Sequence, residues 1–203
     1  MAGLRLGIFG GTFDPPHIGH LILATEAQYQ LRLERILWVL TPWPPHKAGQ
    51  PVSPVEERLE LLCISLDGNP DFELARVDID RPPPHFAVDT VKLLHEAYPE
   101  ATLVYLMGGD SLADLPDWHA PQEFVQACDE IGVMQRPGWE TNLPELEQIL
   151  PGLTERVSFF QAPLLEISSS HLRQRIADGE PCRYYFLPAV YRLIEKRGLY
   201  RTR

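Results

Sequence analysis

The first turn of the chain reads Gly10-Gly11-Thr12-Phe13-Asp14-Pro15-Pro16-His17-Ile18-Gly19-His20 and follows a short apolar run over residues 4–9. Apolar residues then recur at helical spacing over residues 18–31, so the segment predicts a strand, a glycine turn and a helix. Two glycines let a backbone approach a ligand closely, and a helix N-terminus presents unpaired N–H groups with a partial positive charge. The turn is therefore a candidate phosphate-binding site.

Two histidines stand at the start of that first helix. His17 and His20 are three residues apart, so both rings lie on one face and can point at the same anion. Taken alone, such a pair is more often a capping or surface feature than a ligand site. The segment lacks the G-x-x-x-x-G-K-[ST] spacing of a P-loop and the G-x-G-x-x-G of a dinucleotide-binding turn. The usual kinase, ATPase and dehydrogenase interpretations are therefore excluded.

The alternation of strands and helices continues along the chain. Further strands are predicted over residues 35–40, 72–77, 101–107, 130–135 and 157–161. Further helices are predicted over residues 54–66, 86–97, 144–150, 168–177 and 188–197. Ser53 is expected to cap the first of these in a Ser-x-x-Glu capping box, and Gly198 to end the last. The pattern predicts one α/β domain over residues 1–203, with a parallel sheet covered by helices on both faces and ligands at the carboxyl ends of its strands.

Charge and composition narrow the function classes. Lys plus Arg number 18 and Asp plus Glu 28, and the resulting net charge of −10 disfavours a nucleic-acid partner. Cys63, Cys128 and Cys182 fit neither a disulfide framework nor a zinc site, which predicts a reducing cytoplasm. The apolar runs are strand-sized and the N-terminus lacks a long apolar segment, so neither a membrane span nor a signal peptide is expected.

A second candidate anion site is Ile167-Ser168-Ser169-Ser170-His171-Leu172-Arg173, just before the penultimate predicted helix. Ser168 or Ser169 is a natural N-cap, and this structural role is compatible with ligand binding. A hydroxyl at the cap, exposed N–H groups and Arg173 in the first turn can together hold an anion.

The eleven-residue turn resembles the H-x-G-H signature of the nucleotidyltransferase superfamily, and the second segment resembles its I-S-S-[ST]-x-x-R motif. The resemblance implies a Rossmann-like doubly wound sheet. It further implies that His17 and His20 contact nucleotide phosphates and that the second motif binds the β and γ phosphates of ATP. The residues then expected to bind ATP are Gly10, Gly11, Phe13, His17, His20, Ser168, Ser169 and Arg173, whereas Thr12 would hold the phosphate of the other substrate.

Within that superfamily the chain is most similar to the bacterial nicotinate-nucleotide adenylyltransferase family. Pro44-Pro45-His46-Lys47 matches the family's P-P-H-[KR] loop, although Lys47 alone could be a surface charge. Met107-Gly108-Gly109-Asp110-Ser111-Leu112 resembles its G-x-D-[SA]-L segment. There Gly108 and Asp110 would bind ATP, the latter at the ribose, unless Asp110 only caps a helix.

The resemblance also assigns residues to the mononucleotide. Trp118 would stack on the pyridine ring, although a half-buried packing role is equally expected from the residue alone. His119 would contribute its backbone N–H, and Arg136 is a further anion contact. Ala87 and Val88 would offer backbone N–H groups to the nicotinate carboxylate, although His85-Phe86-Ala87 departs from the commoner S-Y-T pattern of the family.

The implied reaction is adenylyl transfer from ATP to nicotinate mononucleotide, giving nicotinate adenine dinucleotide and pyrophosphate in NAD biosynthesis. Catalysis would rest on His17, His20 and Arg173, with Mg²⁺ held mostly by phosphates and water and with no protein metal site. Two rivals stay open: a transferase with another phosphate acceptor, and a regulatory module that binds nucleotides without turnover. A homo-oligomer also stays open.

Other charged residues are expected to have structural roles. Asp14 is expected to order the turn before Pro15, because Asp is common in X-Pro turns. Asp78, Asp80 and Arg81 are expected to form a solvated charged loop.

Overall fold

Six parallel strands form a single sheet in the computed structural model, which describes residues 3–44, 49, 51–135 and 142–201. The strands are β1 (Arg5–Gly11), β2 (Arg35–Leu40), β3 (Phe72–Ala75), β4 (Thr102–Gly108), β5 (Glu130–Gln135) and β6 (Val157–Gln161). Their order across the sheet is β3-β2-β1-β4-β5-β6. The predicted Rossmann-like, doubly wound parallel sheet is confirmed.

Helices fill the connections between these strands. In the described part of the chain they are α1 (Ile18–Gln30), α2 (Val55–Leu66), α3 (Ala87–Ala97), α4 (Gly109–Ala113), α5 (Pro121–Ala127), α6 (Leu143–Ile149), α7 (Ser169–Ala177) and α8 (Pro188–Arg197). Single 3-10 turns cover Leu115–Asp117 and Arg183–Tyr185. Helices α4 and α5 are absent from the sequence-based prediction.

Helices cover the sheet on both faces. The strands are therefore apolar along nearly their whole length. In β2, Leu37 and Val39 join the core on one face, which also contains residues of α3, α4, α5 and α6. Ile36, Trp38 and Leu40 join the core on the other face, beneath α1 and α2. Alternate residues of a strand point to opposite faces, so a strand buried on both sides is apolar throughout.

A third apolar cluster lies outside the sheet and joins α2, α7 and α8. Its buried members are Leu61, Leu172, Ile176, Cys182, Phe186, Val190 and Ile194. Helix α8 ends where predicted, because Gly198 adopts the left-handed conformation (φ 61°) that closes a helix C-terminus. This cluster fixes the last helices against the rest of the fold.

The predicted capping box at Ser53 is wrong. Pro54 occupies the cap position of α2, and no side chain caps the helix there. The backbone N–H of Ser53 instead donates to the carboxylate of Asp14 at 3.1 Å, and its carbonyl accepts from Arg58 at 2.9 Å. A buried tertiary contact has taken the place of the local one.

The strand order reverses between β1 and β4. The helices that follow these two neighbouring strands lead to opposite faces of the sheet, which leaves a crevice at the carboxyl ends of the strands. Ligands bind in this crevice in open α/β sheets. Gly10 and Gly11 end β1, and Gly108 ends β4 beside it. The turns that follow β1 and β4 therefore open into one crevice.

Of the helices in the described residues, none has the length and apolar character needed to cross a membrane.

Candidate active site

The two histidines of the first turn stack on each other at the N-terminus of α1. Their ring centroids lie 3.7 Å apart with the planes at 30°. The backbone N–H of His17 donates to Nδ1 of His20 at 3.2 Å. Because Nδ1 accepts, the neutral ring of His20 carries its hydrogen on Nε2. The pair therefore presents a fixed geometry at the end of the crevice.

His17 is the more deeply placed of the two, with 6% of its surface exposed. Burial lowers the pKa of His17 to about 4, so its ring is neutral at physiological pH. Its Nδ1 is buried and has no hydrogen-bond partner within the described residues. A buried polar atom without a partner is costly unless a ligand supplies one.

A side chain at position 19 would crowd the ring of His17, which lies against Gly19. A Cβ at position 19 would meet Nδ1 of His17 at 3.0 Å and Cε1 at 3.1 Å. Gly11 is required for a similar reason, since a Cβ there would meet the ring of Phe13 at 2.8 Å. The glycines of the turn thus make room for ring side chains of the same motif.

Phe13 lies in the core beneath the histidines. Its φ of 47° is left-handed, the residue is 2% exposed, and its ring packs edge-on against His20 with centroids 5.2 Å apart. Trp38 and Phe9 surround it from below. The backbone of Phe13 is therefore the part that can face a nucleotide, while its ring supports His20.

The serine-rich segment docks directly on the first turn. Ser168 caps α7 by accepting from the N–H of His171 at 3.2 Å, and Ser169 donates its hydroxyl to the carbonyl of Pro15 at 2.8 Å. Arg173 donates to the main-chain carbonyl of Asp14 at 2.7 Å. The two motifs, about 150 residues apart in sequence, are in contact at the mouth of the crevice.

Arg58 supports the same turn from below and was not predicted from the sequence. It is 1% exposed and donates to four carbonyls, those of Ser53, Thr12, Thr41 and Pro42, at 2.7–3.0 Å. These carbonyls belong to the first turn, the end of β2 and the segment before α2. An arginine in an otherwise amphipathic helix gives no sequence signal that would reveal such a role.

Gly108 and Asp110 lie at the end of β4, across the crevice from the histidines. Gly108 is the cap residue of α4, and Asp110 is exposed in its first turn. A Cβ at position 108 would come within 2.3 Å of the Asp110 carboxylate, so the glycine leaves room for that group. Asp110 does not cap the helix with its side chain, which rules out the alternative raised by the sequence.

Four of the residues assigned to the mononucleotide lie at or near the start of α3: Ala87, Val88, Trp118 and His119. Ala87 and Val88 form the first turn of α3, where backbone N–H groups have no partner within the helix. Trp118 is half-buried against Tyr105 and Phe124. His119 is exposed and stacks on Phe86 with centroids 3.8 Å apart, which brings its segment to the N-terminus of α3.

The expectation of a solvated charged loop before α3 is wrong for two of its three residues. Asp78 is 2% exposed and pairs with Arg81 at 2.9 Å, and it also accepts from the hydroxyl of Thr90. Arg81 donates further to the carbonyls of Pro84 and Phe86. The pair of buried Asp78 and partly buried Arg81 holds the N-terminus of α3 in place. Lys47 and Arg136, both assigned from the sequence, lie outside the described residues.

Comparison with known proteins identifies the family. The sequence model described as cytidylyltransferase-like matches residues 8–175. A curated relative from Thermomicrobium roseum, named "Probable nicotinate-nucleotide adenylyltransferase", is 44% identical over 198 residues, which cover 98% of this chain and 92% of the relative. The chain belongs to the nicotinate-nucleotide adenylyltransferase family. A relative of the same name from a Roseiflexus species is 42% identical over 201 residues, with 99% of this chain and 100% of the relative covered.

The fold of the chain is similar to that of solved structures. A Plasmodium falciparum nicotinic acid mononucleotide adenylyltransferase complexed with NaAD superposes with a TM-score of 0.79 at 18% identity, covering 97% of each chain. The same protein complexed with APC gives a TM-score of 0.76. The likeness of this chain to these structures concerns the sheet and its helices.

Proposed function

We propose that the chain transfers the adenylyl group of ATP to nicotinate mononucleotide, giving nicotinate adenine dinucleotide and pyrophosphate in NAD biosynthesis. The main observation behind this proposal is that Ser169 and Arg173 contact the first turn, which leads into His17 and His20. This contact brings hydrogen-bond donors for two phosphate-bearing substrates to the point where the strand order reverses. The relatives of the same family support the choice of reaction.

The reaction needs no nucleophile from the protein. A phosphate oxygen of the mononucleotide forms a bond to the α-phosphorus of ATP as the bond from that phosphorus to the pyrophosphate oxygen breaks. Both reactants are anions, so the protein must align two groups that repel and stabilise charge on the leaving pyrophosphate. Positioned donors at a helix N-terminus are suited to that task.

On the ATP side, His17 and His20 contact the phosphates in this proposal. Ser168, Arg173 and the backbone N–H of Ser169 hold the β and γ groups, since the Ser169 hydroxyl already donates to the carbonyl of Pro15. The unpartnered Nδ1 of His17 supports this assignment, because a phosphate oxygen would satisfy it. Gly10, Gly11 and the backbone of Phe13 allow the nucleotide to approach the end of β1. Gly108 and Asp110 receive the ribose at the end of β4.

On the mononucleotide side, Trp118 stacks on the pyridine ring, and the N–H groups of Ala87, Val88 and His119 bind its carboxylate. The position of α3 supports this, since its N-terminus favours an anion. Thr12 holds the mononucleotide phosphate. Lys47 and Arg136 remain sequence-based assignments to the same substrate.

The Mg²⁺ expected with ATP would be held mostly by phosphate oxygens and water. Within the described ranges, no three or more His, Cys, Asp or Glu side chains are grouped so as to hold a metal. Mg²⁺ in phosphoryl-transfer sites keeps several waters and takes phosphate oxygens as ligands. When bound, it neutralises charge on those oxygens. The protein's own part is to place the phosphates against His17, His20 and Arg173.

A panel of acceptors tests the function. Pyrophosphate release from ATP is measured with nicotinate mononucleotide, nicotinamide mononucleotide and other phosphate acceptors in parallel. We expect release with nicotinate mononucleotide and a product that contains both nucleotides. Release only with an unrelated acceptor would contradict the assigned substrate, and no release with any acceptor would contradict the assigned activity.

We also propose that residues 1–203 form one domain, located in the cytoplasm. The sheet is continuous across both halves of the chain, and the C-terminal helices pack on α2 through the third apolar cluster. All three cysteines are free thiols, and Cys128 and Cys182 are buried, which suits a reducing compartment.

A further inference from the structure

The side chain of Tyr200 reaches from the C-terminal end back to the first turn. After α8, Gly198 turns the chain and the N–H of Leu199 bonds to the carbonyl of Ile194 at 3.1 Å. Tyr200 itself is left-handed, with φ 64°. Its hydroxyl donates to Oδ1 of Asp14 at 3.0 Å, across 186 residues of sequence.

Asp14 is a buried carboxylate with three neighbours that can donate to it. It is 2% exposed, Oδ1 accepts from Tyr200, and Oδ2 accepts from the backbone N–H of Ser53 at 3.1 Å. Nη1 of Arg173 lies 3.9 Å from Oδ2 but makes its close hydrogen bond, at 2.7 Å, to the main-chain carbonyl of Asp14. Each carboxylate oxygen therefore has a donor other than Arg173.

A buried carboxylate that loses a donor recruits the nearest cation, because an unsatisfied buried charge is costly. Here that cation is Arg173, whose side chain is 29% exposed at the mouth of the crevice. Full pairing with Asp14 would draw the guanidinium inward, away from the space where ATP phosphates would lie. The hydroxyl of Tyr200 at Oδ1 adds no charge, and together with the N–H of Ser53 at Oδ2 it satisfies the carboxylate without a closer pairing with Arg173.

We propose that Tyr200 is a positioning residue for ATP: its hydroxyl satisfies Asp14 and so keeps Arg173 available to the nucleotide phosphates. This inference rests on the proposed function of Arg173. Burial and the neighbouring Asp14 raise the pKa of Tyr200 far above its ordinary value of 10, so the hydroxyl remains a donor throughout the working pH range. Leu199 and Tyr200 also pack against the third apolar cluster, which fixes the ring.

The test removes only the hydroxyl. Tyr200→Phe is titrated with α,β-methylene-ATP, which binds without turnover, and KM is measured separately for ATP and for nicotinate mononucleotide. We expect analogue affinity to fall about tenfold and KM for ATP to rise in parallel, with KM for the mononucleotide within about twofold of wild type. Tyr184→Phe is the matched control, since Tyr184 is 84% exposed, and should leave every value unchanged.

A double variant separates positioning from general loss of structure. In Tyr200→Phe with Asp14→Asn the charge that would capture Arg173 is gone, so ATP-analogue affinity should recover toward wild type even if the melting temperature falls further. Unchanged affinity in Tyr200→Phe, or no recovery in a folded double variant, would overturn the inference. Because the analogue needs no acceptor, these results stand apart from the acceptor panel: a failed panel with these shifts intact would overturn the assigned reaction only.

Discussion

The rings of His17 and His20 stack at 3.7 Å with His17 beneath and its pKa lowered by burial to about 4. Two cationic rings at that distance would repel each other, and the buried ring is the one kept neutral. In the proposed function, the outer ring of His20 would therefore meet the phosphates while it rests on a neutral ring. This division between the two histidines leads to a different prediction for each.

Replacing His20 should affect turnover more than binding. We expect His20→Ala to lower kcat by at least ~10²-fold with a smaller change in KM, because the contact should tighten as charge develops on the phosphates. Steady-state pyrophosphate release at saturating substrates measures the effect, with the melting temperature as the control for folding. A variant that keeps more than half of the wild-type kcat would show that His20 has no catalytic role.

His17 should make the stability of the fold depend on pH. Its pKa is about 4 in the folded chain against an ordinary 6.5, so between these values the unfolded chain binds the proton and the folded chain does not. Stability from this residue is thus complete above pH 6.5 and decreases as the pH falls toward 4, by about 3 kcal/mol. Urea unfolding of wild type and His17→Gln across this range measures the difference. Parallel pH profiles for the two proteins would contradict the buried neutral ring.

A side chain at position 19 should lower activity because it would displace the ring of His17. The Cβ of Gly19→Ala would stand 3.0 Å from the His17 ring, which must then shift or tilt the pair. A misplacement of this kind lowers kcat/KM by about 10- to 100-fold. Gly3→Ala is the matched control, because a Cβ there meets its nearest neighbour, the Glu100 carbonyl, at an ordinary 3.8 Å. Equal activity of the two variants would mean that the crevice accommodates the shift.

Arg58 should be a large contributor to stability. Arg58→Met leaves the carbonyls of Thr12, Thr41, Pro42 and Ser53 without this buried donor, and we expect the free energy of unfolding to fall by about 3 kcal/mol or more. The free energy of unfolding of Arg58→Lys should lie between those of wild type and Arg58→Met, since an ammonium keeps the charge but not the planar guanidinium. Urea denaturation measures both, with exposed Arg192→Met as a control expected within about 0.5 kcal/mol of wild type. A loss for Arg58→Met as small as that control would contradict the role assigned to the four hydrogen bonds.

The strands and most helices could be predicted because their apolar periodicity is local. Helix α5 could not, since it starts after Ala120, whose left-handed φ of 48° has no sequence signal. The site divides in the same way. His17 and Arg173 lie in short motifs, whereas Arg58 and Tyr200 act on the first turn through contacts across 46 and 186 residues. Only the folded chain reveals such partners.

Substrate selectivity is the sharpest consequence of the second half of the site. Nicotinate carries a carboxylate where nicotinamide carries a neutral amide, and the N-terminus of α3 at Ala87 and Val88 offers donors only. The stack of Phe86 on His119 brings a further backbone segment to the same place. An amide would present its own N–H groups to these donors and leave polar groups unpaired.

We therefore expect nicotinate mononucleotide to be preferred by at least ~10²-fold in kcat/KM, which corresponds to about 2.7 kcal/mol. Trp118 would stack on either ring, so Trp118→Ala should weaken both substrates and leave most of the ratio intact. Parallel kinetics of wild type and Trp118→Ala with the two mononucleotides measure both effects. Equal turnover of the two by wild type would mean that these N–H groups form no carboxylate pocket, and a ratio lost with Trp118 would place the discrimination in the ring contact instead.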